Sequence, residues 1–144
     1  MSNTDMHIYW GETHDNTFQY SEAPAPFKDT VRRAASHLDF YGAAYYTPCS
    51  EAFQAGGHLS QLDVDEVPIN LERWKSPERI EREWAEVQEV TRELNSAGTF
   101  VTFPGYEWQG DGTPGDHNVM YREEGPPVCR AIHVEELYEQ LREY

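Results

Sequence analysis

The chain has 144 residues with a formal net charge of -15, and 13% of its residues are aromatic, including nine Tyr and four Trp. That length suits a single domain with a real core, while the acidity excludes nucleic acid and anionic membrane surfaces, which call for clustered Lys and Arg. No apolar run approaches the roughly 20 residues that span a bilayer, and the polar start Met1–Asp5 lacks a signal-peptide core, so a cytoplasmic protein is expected.

From the amino terminus, His7–Trp10 reads as a short strand that Gly11 stops. After a Pro/Ala loop at Ser21–Pro26, Phe27, Val31, Ala34 and Ala35 recur at helical spacing and predict an amphipathic helix over Phe27–His37. Leu38–Tyr46 is apolar enough for a strand covered on both faces, as in parallel sheets, and Pro48 should end it. Glu51–Lys75 is irregular and long for a connection, a pattern typical of functional or mobile loops. Ser76-Pro77-Glu78 then supplies an N-cap, a first-turn proline and a carboxylate at the positive end of a helix dipole. Ile80, Trp84, Val87, Val90, Thr91 and Leu94 form that helix's apolar stripe, and Asn95–Gly98 should cap it. Thr99–Phe103 is a third strand running into Pro104–Trp108, and Asn118–Tyr121 is a fourth. Val134–Tyr144 reads as a closing helix with Val134, Leu137, Tyr138 and Leu141 inward. The order predicts an α/β fold with a mostly parallel sheet, and the acidic runs Glu78–Glu93 and Glu135–Glu143 read as solvated helix faces.

The chemistry-bearing residues gather at strand ends. Glu12, His14 and Asn16 alternate at period two, so an extended segment turns them to one side. Nitrogen and oxygen donors of this kind suit Zn, Mn or Fe, although a strand-end histidine can equally hydrogen-bond its neighbours alone. Glu107 stands between Tyr106 and Trp108. Turned inward it is partly desolvated and must be paired or metal-bound, and turned outward it is an ordinary surface carboxylate. His117 ends a Gly/Asp-rich turn with Asp111 and Asp116, whose glycines allow close backbone approach, so it is either a ligand or a hairpin histidine. Cys49, just after Pro48, sits where a ligand would be expected or is a buried inert thiol. Cys49 and Cys129 are too far apart in sequence to form a metal-spaced pair, and a reduced compartment is the default. His7, His37 and His133 receive no role, and His58 reads as structural or exposed.

Taken in order, Trp10-Gly11-Glu12-Thr13-His14-Asp15-Asn16-Thr17, Leu38-Asp39-Phe40, Gly105-Tyr106-Glu107-Trp108 and His117-Asn118-Val119 resemble the start of the polymerase-and-histidinol-phosphatase (PHP) superfamily, especially its DUF3604 branch. Members of that branch open with W-G-D-L-H-x-H-T and continue with L-D-F, a T-D-H-S-E-like strand end, G-Y-E-W and G-H-x-N-V. The resemblance covers residues 8 to 121. It implies a distorted (β/α)7 barrel with two or three metal ions at the carboxyl ends of its strands, and hydrolysis of phosphoesters or related bonds. On that reading residues 1–144 are the amino-terminal half of such a barrel, an incomplete (β/α)7 unit. His14 matches the first histidine of the opening motif, Glu107 the bridging carboxylate and His117 the next histidine, each a metal ligand. Asn16 stands where the second histidine belongs. The D-H pair falls on Tyr45-Tyr46 or on Pro48-Cys49, and the second alignment puts the Cys49 thiol in place of a histidine.

The implied function is a metal-dependent, phosphoesterase-like hydrolase of small molecules. It would carry a divalent transition metal and complete its site as a homo-oligomer or with a complementing chain. The alternative is a degenerate, non-catalytic binding or assembly domain.

Overall fold

A computed structural model describes residues 6–19, 25–47, 75–109, 114–131 and 133–144. Cys49, His58 and Asp111 lie outside the described residues. The elements are β1 (Gly11–Thr17), α1 (Phe27–Ala34), β2 (Phe40–Tyr46), α2 (Pro77–Leu94), β3 (Val101–Phe103), β4 (Gly105–Trp108), β5 (His117–Met120) and α3 (Val134–Leu141). They form a mixed α/β structure whose sheet runs β1-β2-β4-β5, with β3 also on β2. β1, β3 and β4 are parallel to β2, and β5 is antiparallel to β4. The mostly parallel sheet expected from the sequence is therefore present.

β3 and β4 are one line of chain interrupted at Pro104. Phe40 faces Val101 and Tyr45 faces Tyr106, so the register holds on both sides of the break. Proline has no N–H to give to the ladder, which is why one expected strand becomes two. Gly105, just after the break, lets the backbones close up. A Cβ there would lie 2.5 Å from the Ala43 carbonyl oxygen and 2.6 Å from that of Val119.

The first strand departs from expectation. Residues 6–10 are outside any strand and exposed, with Ile8 at 79% and Trp10 at 70%. The chain joins the sheet where Trp10 N–H donates to Asp39 Oδ2 (2.8 Å) and the Trp10 carbonyl accepts from the Asp39 and Phe40 N–H groups. Gly11 starts the strand instead of stopping it, pairing with Phe40, whose ring would lie 2.2 Å from a Cβ at that position. α1 is also shorter than expected, ending at Ala34 before a turn over Ala35–His37.

One face of the sheet carries the core. Tyr41, Tyr45, Tyr106, Trp108 and Val119 are buried there together with Phe27 and Val31 of α1 and Ile80, Trp84, Val87 and Val90 of α2. The Trp84 ring meets Tyr106 edge-on at 5.9 Å, a geometry that adds quadrupole attraction to burial. α2 begins as its sequence requires, with Ser76 accepting from the Arg79 N–H (3.2 Å) and Pro77 in the first turn. Its predicted stripe is buried except for half-buried Leu94.

α2 is also fastened to the sheet by a buried polar group. Lys75 Nζ donates to the Tyr46 carbonyl (2.8 Å) and to Glu83 Oε2 (2.9 Å), and Tyr45 OH donates to the same Glu83 oxygen (3.0 Å). In α3, Leu137 is fully buried, whereas Tyr138, expected inward, is 51% exposed. His133 forms a capping box with Glu136 at the start of that helix. No helix among the described residues is long and apolar enough to cross a membrane.

Candidate functional site

The face of the sheet away from the helices carries the chemistry. Asn16 pairs with Ala44, Tyr46 with Glu107, and Glu107 with Asn118, so these side chains share one side. That side is concave. Asn118 Nδ2 donates to the Thr13 carbonyl at 3.1 Å, although β5 and β1 stand at opposite ends of the sheet order. Three strand spacings of ~4.8 Å would hold them roughly 14 Å apart in a flat sheet. The sheet must curl strongly to bring them into contact.

A bulge in β1 sharpens the approach. Glu12 faces Tyr41 but Asp15 faces Ala43, so β1 has one residue more than β2 over this stretch. Glu12 Oε1 accepts from the N–H groups of Thr13 (2.9 Å) and His14 (2.7 Å), satisfying donors that the bulge takes out of the ladder. The expected alternation of Glu12, His14 and Asn16 on one side therefore fails. Glu12 is folded onto its own backbone and holds the bulge, while His14 and Asn16 face Glu107. Asp15 turns to the core side and accepts from Tyr41 OH (2.9 Å).

His14 Nε2 lies 3.3 Å from Glu107 Oε1, with the His14 side chain 55% exposed and that of Glu107 only 6%. Burial is the main influence on Glu107 and pushes its carboxyl above the usual range. The nearby His14 opposes this, Asp116 adds to it, and the Asn16 amide again favours the charged form. Glu107 Oε2 and Asn16 Oδ1 are buried without a hydrogen-bond partner. Thr47, itself buried, fixes the Glu107 backbone by donating its hydroxyl to the Glu107 carbonyl (2.5 Å).

His117 is not part of this group. It pairs with Trp108, one residue past Glu107, and so lies on the helix side, with its ring 5.6 Å from Trp108 and 6.4 Å from Tyr138. Successive residues of a strand face opposite ways, and the antiparallel register gives the place beside Glu107 to Asn118. Asp116 precedes β5, is exposed, and reaches the site through its charge. Cys49 and Asp111 fall outside the described residues. Asn118 and Thr47 were not singled out from the sequence. Pairing Gly105–Trp108 with His117–Met120 as a hairpin would have found Asn118, whereas Thr47 is marked only as the threonine of the T-D-H-S-E alignment that puts Pro48-Cys49 on the D-H pair.

Among the described residues, no group of three or more His, Cys, Asp or Glu side chains is close enough to hold a metal ion. The groups that do meet are the His14 imidazole and the Glu107 carboxylate, with the Asn16 amide N–H turned to Glu107; Glu107 Oε2 and Asn16 Oδ1 are each buried without a partner. One nitrogen with two oxygens suits a divalent transition metal in kind and is a partial set in number. No protein-family model, no curated protein and no solved structure matches the chain.

Proposed function

We propose that this chain supplies one side of a metal-dependent, phosphoesterase-like hydrolase centre of the PHP type. The observation that carries the reading is the His14–Glu107 contact beside two buried, unpartnered oxygens on a concave sheet face. An isolated buried acceptor is unfavourable by about 1–3 kcal/mol, so such atoms are normally matched by a ligand, an ion or water. The curl, the helices on the outer side and the position of Glu107 near the carboxyl end of β4 are what an incomplete (β/α)7 barrel would have.

In this reading His14, Glu107 and Asn16 would hold Zn, Mn or Fe. Such an ion, when bound, polarises the scissile group and makes bound water acidic. The chain's own part is to hold Glu107 dry and oriented through Thr47 and to fix His14 through the Glu12-braced bulge. Remaining ligands would come from a second copy or a complementing chain. The substrate would be a small cytoplasmic phosphoester, since a net charge of -15 suits no polyanion.

The position of His117 on the helix side favours a second reading, a non-catalytic binding or assembly domain with a reduced site. Metal analysis of the purified protein separates the two. Near-stoichiometric Zn, Mn or Fe that falls sharply in Glu107→Gln supports the centre. Metal-free protein after growth with all three supports the second reading.

A further inference from the structure

The carboxyl end of β1 carries a second concavity, on the helix side of the sheet, that the metal reading does not use. It is a cavity of about 340 Å³ between β1, α1 and α2, bordered by Asp15, Thr17, Phe18, Phe27, Thr30 and Glu86. Three observations make it more than a gap. Thr17 is 8% exposed, and its Oγ1 is buried without a hydrogen-bond partner. Phe18 has φ 61°, in the left-handed region that a non-glycine residue seldom adopts. Backbone strain of that kind collects at binding sites, where packing over-determines it. Here the Phe18 ring is held 5.5 Å from Phe27 and 5.8 Å from Tyr45 and forms an aromatic wall.

We propose that this cavity binds a small primary amine in its protonated form. Its charged groups are the Asp15 and Glu86 carboxylates, while the Thr17 and Thr30 hydroxyls and the Asn16 and Gln19 amides can each accept as well as donate. No lysine or arginine is among the described residues that line it. Asp15 gives one oxygen to Tyr41 OH and keeps the other for a ligand. An ammonium group brings three donors and a charge, and Phe18 and Phe27 give apolar cover to a short aliphatic tail. The start of α1 lies at the rim and favours anions, but its roughly half positive charge is outweighed by two full carboxylates. A carboxylate ligand is therefore rejected, and a neutral alcohol of the same shape leaves the charge unmatched. The inference requires no metal, although Asn16 borders both sites.

The test is an NMR titration of the whole chain with n-butylammonium, n-butanol and butyrate at matched ionic strength. Butylammonium should give saturable shifts at the Thr17, Phe18 and Thr30 amides in the millimolar range, with butanol at least about tenfold weaker and butyrate silent. Glu86→Gln, an exposed change that leaves the fold intact, should weaken butylammonium about fivefold, because the amide oxygen still accepts a hydrogen bond and only the charge is lost. Glu89→Gln removes the same charge from α2 away from the cavity and should leave binding unchanged. Equal affinity for butanol, no saturation with butylammonium, or equal losses in the two variants would each overturn the proposal.

Discussion

Glu107 is a carboxylate held where water scarcely reaches, and burial raises its proton affinity against the pull of His14. The direction fixes a sign. A group whose folded-state value lies above its ordinary one contributes stability that is fully present below the ordinary range and is lost as pH rises through the raised value. Ionised Glu107 therefore weakens the metal-free fold at neutral pH. Glu107→Gln should raise the thermal midpoint of the metal-free protein at pH 7 by roughly 3 °C, on the order of 1 kcal/mol for a chain of this size. The gain should vanish in acid below the carboxylate range. On the proposed metal reading the same variant should also retain less metal, so one substitution would stabilise the fold while weakening the proposed site. Thermal melts across pH read the first effect, and a lower midpoint for the variant at pH 7 would show that His14 outweighs burial.

At the scale of elements, the lock between α2 and β2 is the Lys75–Glu83 group. The Lys75 side chain is 0% exposed, its amine sits 4.1 Å from the Tyr45 ring centre, and burial lowers its pKa from 10.5 to about 8 despite the facing Glu83. Glu83 accepts at once from Lys75, Tyr45 and Arg79 (2.6 Å to the last). Glu83→Gln should destabilise the protein by about 3 kcal/mol, the usual penalty for stripping a buried cation of its partner. Urea unfolding measures it, and a loss under about 1 kcal/mol would class the group with surface pairs. This element also shows what the sequence made legible. Period and capping alone located α2, because Ser76, Pro77 and its apolar stripe all act within the helix. β1 was misplaced by four residues because its start is set by pairing with a distant strand, Gly11 opposite Phe40. The site was half legible for the same reason. His14 and Glu107 were readable as strand-end residues, but the bulge that removes Glu12 and the register that trades His117 for Asn118 are properties of paired strands.

At the scale of the whole molecule, the curl that joins Asn118 to Thr13 gathers both sheet ends over the concave face, yet β1 and β5 each pair on one side only among the described residues. Open edges are templates for further strands, and exposed Ile8, Tyr9 and Trp10 stand beside one of them. Dimers or larger assemblies are expected at micromolar concentration, and a clean monomer by light scattering would count against an incomplete barrel. The same geometry sets the expected activity. Hydrolysis by a metal-bound hydroxide needs a fixed, dry site with one open coordination position. This chain brings one imidazole and one carboxylate together, with the Asn16 side chain beside them, while the His14 side chain remains 55% exposed. Ligands are also held in place by outer partners, and among the described residues those are the Glu12-braced bulge and Thr47. The protein alone should therefore turn over a generic aryl phosphate weakly with added Mn or Zn, and Glu107→Gln should abolish what there is. Strong turnover lost in Glu107→Gln would show that copies of this chain complete the centre between them. Turnover unchanged by Glu107→Gln would place any hydrolysis elsewhere and remove Glu107 from the reaction.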